Sequence, residues 1–235
     1  MKSSAKSSRM SEITKQRSTW FKVQSYLNGL NHIMNGAVAC FMTLYLIREG
    51  RGSFSWHVFL TTIGYQLLMA EIMVFYTPNS WIYFHSYKTK KHLHWILQLI
   101  ATTFIITGNV IINVIRTTPH FKTVHAITGL ISMILLIISV LQGVGAYYAT
   151  KLSSIMRPVT SKFFHSVTSI LCFVTGMVSL IYGYRYGSTH DIFTTLVIEY
   201  GLIAFAIVTT IFSLVGVLKS SLMYLRAQLH KSLLK

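Results

Sequence analysis

Six apolar stretches dominate the 235-residue chain, near 26–47, 56–76, 93–115, 123–148, 163–184 and 193–217. A helix of about 20 apolar residues crosses the roughly 30 Å hydrocarbon core of a bilayer. Lipid supplies no partner for peptide groups, so a run of this length and composition must be helical. Only 11% of residues are charged and the mean hydropathy is +0.54, against about 25% charged in soluble domains. The expected fold is an all-α membrane protein of six transmembrane helices. Residues 25–220 form its transmembrane domain, between a disordered basic tail at 1–24 and a basic C-terminal tail at 221–235. The first apolar run starts too late and runs too long for a signal peptide, so helix 1 is expected to be retained. Cys40 and Cys172 both fall inside spans. They make neither a disulfide framework nor a zinc pattern and read as buried packing residues.

The net charge is +16, and its placement decides its meaning. Sixteen of the 21 Lys and Arg fall in the N-terminal segment, the helix 2–3 and 4–5 loops and the C-terminal segment. The other side keeps five: Arg48, Arg51, Arg116, Lys122 and Arg185. Basic residues accumulate on the cytosolic side of membrane proteins, so both termini are expected in the cytosol. Anionic lipid headgroups suffice as partners for this charge. No nucleic-acid-binding module is present, and none is expected.

Four of the ten histidines take matching positions: His57, His94, His125 and His165 open helices 2, 3, 4 and 5. Helices 2 and 4 start at the outer face and helices 3 and 5 at the cytosolic face. His57 and His125 therefore share one depth, and His94 and His165 another. Ionisable side chains inside a membrane are costly and face the bundle interior, where a ligand or partner satisfies them. No carboxylate or thiol accompanies either pair, whereas zinc takes three or four ligands. A b-type haem takes one imidazole on each face, and bundle cores are a usual place for such a site. Thr61, Gln98, Gly129 and Ser169, each four residues after a histidine, leave room for a flat ring. Small residues also occur wherever membrane helices touch. Two ligand planes roughly 20 Å apart would form an electron path, and no nucleotide or flavin motif is present to supply it.

These residues resemble the cytochrome b561 family, in particular its branch of cytochrome b561 domain-containing transmembrane reductases. "FSWHVFLTTIGYQLLMAE" with "FYTPNS" is similar to that branch's helix 2 and its exit. "LHWILQL" resembles the start of helix 3, "HFKTVHAITGL" helix 4 and "FFHSVTSI" helix 5. The resemblance implies a central bundle of helices 2–5 with two b haems per chain, one on His57 and His125 and the other on His94 and His165. It implies electron transfer from cytosolic ascorbate to monodehydroascorbate or a ferric chelate across the membrane, and a homodimer. Val58 stands where the commoner pattern has proline.

His92 competes with His94, since residues two apart on a helix point roughly 200° away from each other. The match at "LHW" favours His94. Lys88, Lys90, Lys91 and Arg157 are candidates to gather the ascorbate anion, while the lysines also serve simply to fix topology. His120 and Lys122 are candidates for the outer acceptor. Glu71 either anchors a helix contact or carries a proton, and His32 reads as solvated. Two other functions fit: a transporter passing protons or metals along histidines, and a haem-binding subunit without reductase activity. The chain is expected to be multi-pass, in the endoplasmic reticulum, an endomembrane vesicle or the plasma membrane.

Overall fold

The computed structural model describes residues 2–48, 52–75, 77, 80–82, 84–115, 117, 121–188 and 196–233, with side chains from 19 to 229 among these except 186–188. Its regular structure over this range is helical, in six helices: α1 (Lys2–Arg48), α2 (Ser53–Val74), α3 (Tyr87–Ile115), α4 (Val124–Tyr147), α5 (Pro158–Ser188) and α6 (Leu196–Leu233). Each contains a stretch long and apolar enough to cross a membrane, and the protein is a multi-pass integral membrane protein.

Two helices begin earlier than their apolar runs suggest. At α3, Ser86 Oγ accepts from the Thr89 backbone N–H at 3.1 Å and caps a helix that opens at Tyr87. Pro158 opens α5, where its fixed φ suits a first helical position. His94 and His165 therefore each lie seven residues into their helix, and a basic turn projects beyond each of them. At α4 the Thr123 side chain accepts from Ala126 N–H, so His125 is in the first turn.

The segment expected as a disordered tail, 1–24, is helical from Lys2. No Gly or Pro interrupts the chain before Gly29, so the helix nucleated by the apolar run meets no breaker on its N-terminal side. Its membrane-compatible part is Thr19–Arg48. The segment expected as a C-terminal tail likewise continues α6 to Leu233.

α2 packs on α3 and α4 on α5, forming two antiparallel hairpins that face each other, while α3 and α4 scarcely touch. α1 and α6 close the side of the bundle along α2 and α5. α2 is the most enclosed span, with 72% of its apolar window buried against 17% for α3 and for α4. Outward residues such as Leu99, Val114 and Leu141 are therefore lipid-facing. Cys40, expected to be buried, is exposed on this outer surface, whereas Cys172 is buried.

The middle of α2, Ile63–Met69, winds as a π-helix, a rare form found frequently at functional sites. Here Tyr65 is directed across the bundle onto Gly176 of α5, where even a methyl group would lie 2.3 Å from the ring. Its hydroxyl is hydrogen-bonded to Ser132 of α4 at 2.8 Å. Ser132 also donates to the Cys172 carbonyl at 2.7 Å, and the Cys172 thiol donates back to the Ser132 carbonyl at 3.5 Å.

Candidate functional site

The two hairpins bring the four helix-start histidines together in two pairs. His57 on α2 faces His125 on α4, with ring centroids 6.1 Å apart and planes at 82°. His94 on α3 faces His165 on α5, at 6.3 Å and 85°. Each pair thus bridges one hairpin to the other. Ser139, whose carbonyl meets His165, lies fourteen residues along α4 from His125. At 1.5 Å per residue the two levels are about 21 Å apart.

His57, His125 and His165 are each held by one nitrogen. His57 Nδ1 bonds the Gly108 carbonyl at 2.9 Å, His125 Nδ1 the Ser179 carbonyl at 2.8 Å and His165 Nδ1 the Ser139 carbonyl at 3.0 Å. A carbonyl only accepts, so the ring must donate from Nδ1. In the neutral imidazole that leaves the lone pair on Nε2, the arrangement that a carbonyl hydrogen-bonded to the far nitrogen imposes on metal-ligating histidines. His94 instead packs at 6.1 Å from the Phe75 ring.

Glycine lets the rings come this close to the opposite helix. A methyl group at Gly143 would lie 3.2 Å from His165 Cε1, and one at Gly183 would lie 3.1 Å from His125 Cε1.

The residues fit a haem iron. A metal bonded to Nε2 at about 2.0 Å on each side, with each nitrogen about 1.15 Å from its ring centre, separates the centroids by about 6.3 Å. Both observed separations match. No group of three His, Cys, Asp or Glu occurs among the described residues, so each pair offers two neutral imidazoles and no third ligand.

Beside His94 and His165 lies a cavity of about 290 Å³, between the hairpins and α6. Gln98 and Ser169 line it, as the spacing argument anticipates. Thr61 instead folds back onto the His57 carbonyl at 2.7 Å, and the face of Gly129 is taken by Ser179. His92 is exposed, so only His94 enters the site.

Of the cations expected there, Lys91 lines the cavity and Lys88, Lys90 and Arg157 do not. Lys91 Nζ donates to the Tyr147 carbonyl at 2.9 Å and sits 3.5 Å from the Tyr147 ring centre. The second cavity cation is Lys162, one of the basic residues that the apolar runs leave in the helix 4–5 loop. Its signal was present: Lys162 precedes His165 by three residues, as Lys91 precedes His94. Trp95 also lines the cavity, edge-on to Tyr147.

At the other level, Lys122 is exposed, and His120 lies outside the described residues. His32, expected to be solvated, bonds Glu71 at 2.6 Å. Two polar groups on neighbouring helices find each other more readily than they reach water from within a span.

The model of the eukaryotic cytochrome b561 family matches residues 56–194, a range that contains all four paired histidines. Human transmembrane reductase CYB561D2 is 28% identical over 142 residues, which cover 59% of this chain and 64% of the relative. The mouse protein of the same name is 27% identical over the same extent. Mouse probable transmembrane reductase CYB561D1 is 34% identical over 80 residues, 34% of each chain. The match thus spans a little under two thirds of the length of the CYB561D2 relatives.

Proposed function

From the premise that the chain belongs to the cytochrome b561 family, we propose that it is a transmembrane oxidoreductase with two b haems, held by His57/His125 and His94/His165. The observation that carries this reading is the pair of imidazole couples, level-separated and spaced for one iron each. A haem iron, when bound, changes oxidation state by one electron and so accepts and passes on single electrons. The chain fixes the axial rings through the Gly108, Ser179 and Ser139 carbonyls. This limits the reorganisation that electron transfer requires.

Ascorbate is the proposed donor, and monodehydroascorbate or a ferric chelate the proposed acceptor. The bias of basic residues favours a cytosolic side for the Lys91/Lys162 cavity. With the haem ring in this cavity, the Lys91 and Lys162 ammonium groups beside it attract an organic anion toward the haem edge, and Trp95, Tyr147 and Tyr224 add flat apolar surface for a small ring. Lys91 is held in place by Tyr147 and is already oriented before the anion arrives. CYB561D2 and CYB561D1 carry the name transmembrane reductase, which favours reduction of an acceptor over transport of an ion.

Purified protein in detergent or nanodiscs should show a low-spin b-type reduced-minus-oxidised spectrum with two haems per chain. Ascorbate should develop that spectrum, and Lys91→Ala with Lys162→Ala should slow its appearance several-fold. A folded, colourless protein overturns the reading.

A further inference from the structure

Outside the cavity, α1 carries a polar stripe at Asn28, Asn31, His32 and Asn35, spacings that share one helix face. The stripe turns inward: Asn28, Asn31 and Asn35 are buried against the bundle. Polar groups buried inside a span are expensive and mark function more often than packing. His32 Nδ1 lies 2.6 Å from Glu71 Oε1 of α2, with side chains only 30% and 15% exposed. Asn31 donates to Ser213 of α6 at 3.0 Å. Asn31 Oδ1 and both polar atoms of the Asn35 amide are buried without a protein partner among the described residues. Buried amide atoms in that position are normally satisfied by internal water.

Along α2, Glu71 lies fourteen residues from His57, the same interval that separates the two histidine levels on α4. Glu71 directly precedes Ile72 and Met73, which line the cavity together with His94 and His165. A net charge gained in that cavity acts on the patch through a low-dielectric medium that screens it weakly.

We propose that His32 and Glu71 form a proton-loading pair that takes up one proton when the neighbouring His94/His165 centre gains an electron, and gives it up when the electron leaves. The inference rests on the function proposed above. In the step, an enediol anion of the ascorbate class loses one electron and one proton and becomes a radical anion. The electron reduces the centre, and the enediol proton passes to water. An equivalent proton from water at the basic face forms a new N–H bond on His32 or O–H bond on Glu71. Charge in the half-membrane is then unchanged by reduction.

Among the described residues, α1 places Asn28, Asn31 and Asn35 on the face of His32, and α6 offers Ser213 and, at its other end, Glu199. Across the cavity stand Tyr87, Lys91 and His94 of α3, Tyr147 of α4, Lys162 and His165 of α5, and Tyr224 of α6.

The test is a spectropotentiometric titration of the haem-loaded full chain in nanodiscs between pH 6 and 8. One of the two centres should show a midpoint potential that falls as pH rises. Glu71→Gln and His32→Gln should each lower that slope at least twofold and leave the other centre's slope unchanged. A reduced-minus-oxidised infrared spectrum should show a carboxyl or imidazole band that disappears in Glu71→Gln. A pair that only anchors α1 to α2 moves neither readout. Equal slopes in wild type and both variants, with two haems bound, overturn the proposal alone. If the variants lose haem, the wild-type infrared spectrum decides, and absence of a protonation band on reduction overturns it. A wild-type protein without haem overturns the reductase reading and this inference together.

Discussion

The two hairpins hold their histidines differently. In α4–α5 the support is reciprocal: His125 bonds Ser179 O on α5, and His165 bonds Ser139 O on α4. Ser132 lies seven residues from both His125 and Ser139, and Cys172 seven from both His165 and Ser179. Their mutual hydrogen bonds therefore sit on a local two-fold axis midway between the levels. Gly183 and Gly143 complete the relation, each facing the opposite ring. In α2–α3 the contacts are of different kinds: His57 bonds Gly108 O, and His94 packs on the Phe75 ring. The π-helical turns also lie in α2, and Glu71 of α2 carries the contact to His32 of α1. The α4–α5 hairpin gives both sites the same support, so any difference between them must originate in α2, α3 and the helices packed on them.

The largest effect that tests this comparison comes from the ligands. His125→Ala and His165→Ala should each lower bound haem from about two to about one per chain. His57→Ala should remove the same spectral component as His125→Ala, and His94→Ala the same one as His165→Ala. If His57→Ala and His94→Ala remove one common component, the pairing across hairpins is wrong. Pyridine haemochrome content and low-temperature α-band spectra provide the count and the identity.

A smaller effect separates the two halves of the symmetric hairpin. Valine at 143 or 183 forces its branches against a ring that a bare Cβ would already approach to 3.2 or 3.1 Å. Overpacking of this kind costs about 1–3 kcal/mol. Gly143→Val should disturb the His94/His165 signal in electron paramagnetic resonance and spare the other. Gly183→Val should do the reverse. Equal damage to both signals from either variant would mean that the helices shift as a body, breaking the idea of local support.

Much of this arrangement was legible in the sequence, because hydropathy and spacing act through chain geometry. Six spans and their alternating direction suffice to sort His57 with His125 and His94 with His165, and the structure brings those four together. The "LHW" match chose His94 over His92, and His92 is exposed. What escaped depends on which face of a helix meets which neighbour. His32 and Glu71 lie on different helices, thirty-nine residues apart, and each alone resembles an isolated polar residue near a helix end. Lys162 was hidden because α5 starts at Pro158, which puts the lysine inside the helix and beside the cavity rather than in the loop. The π-turn has no marker in composition; it is recognisable only once Tyr65 must reach Gly176.

The smallest predicted effect probes the centre of the comparison. Ser132→Ala removes the donor to Cys172 O and the partner of the Tyr65 hydroxyl. Interhelical hydrogen bonds inside membranes contribute on average about 0.6 kcal/mol, so the loss in unfolding free energy should be well below that of the glycine variants. Its distribution is the informative part. Ser132 lies on the axis, equally far along the chain from both supports, so a relaxed α4–α5 register should shift the two haem signals by similar amounts. Tyr65→Phe removes a tie from α2 and leaves the reciprocal Ser132–Cys172 bonds in place, so it should move both signals less. A Ser132→Ala variant that shifts only the His94/His165 signal would place the asymmetry within α4–α5 itself, and the contrast between the hairpins would then lose its basis.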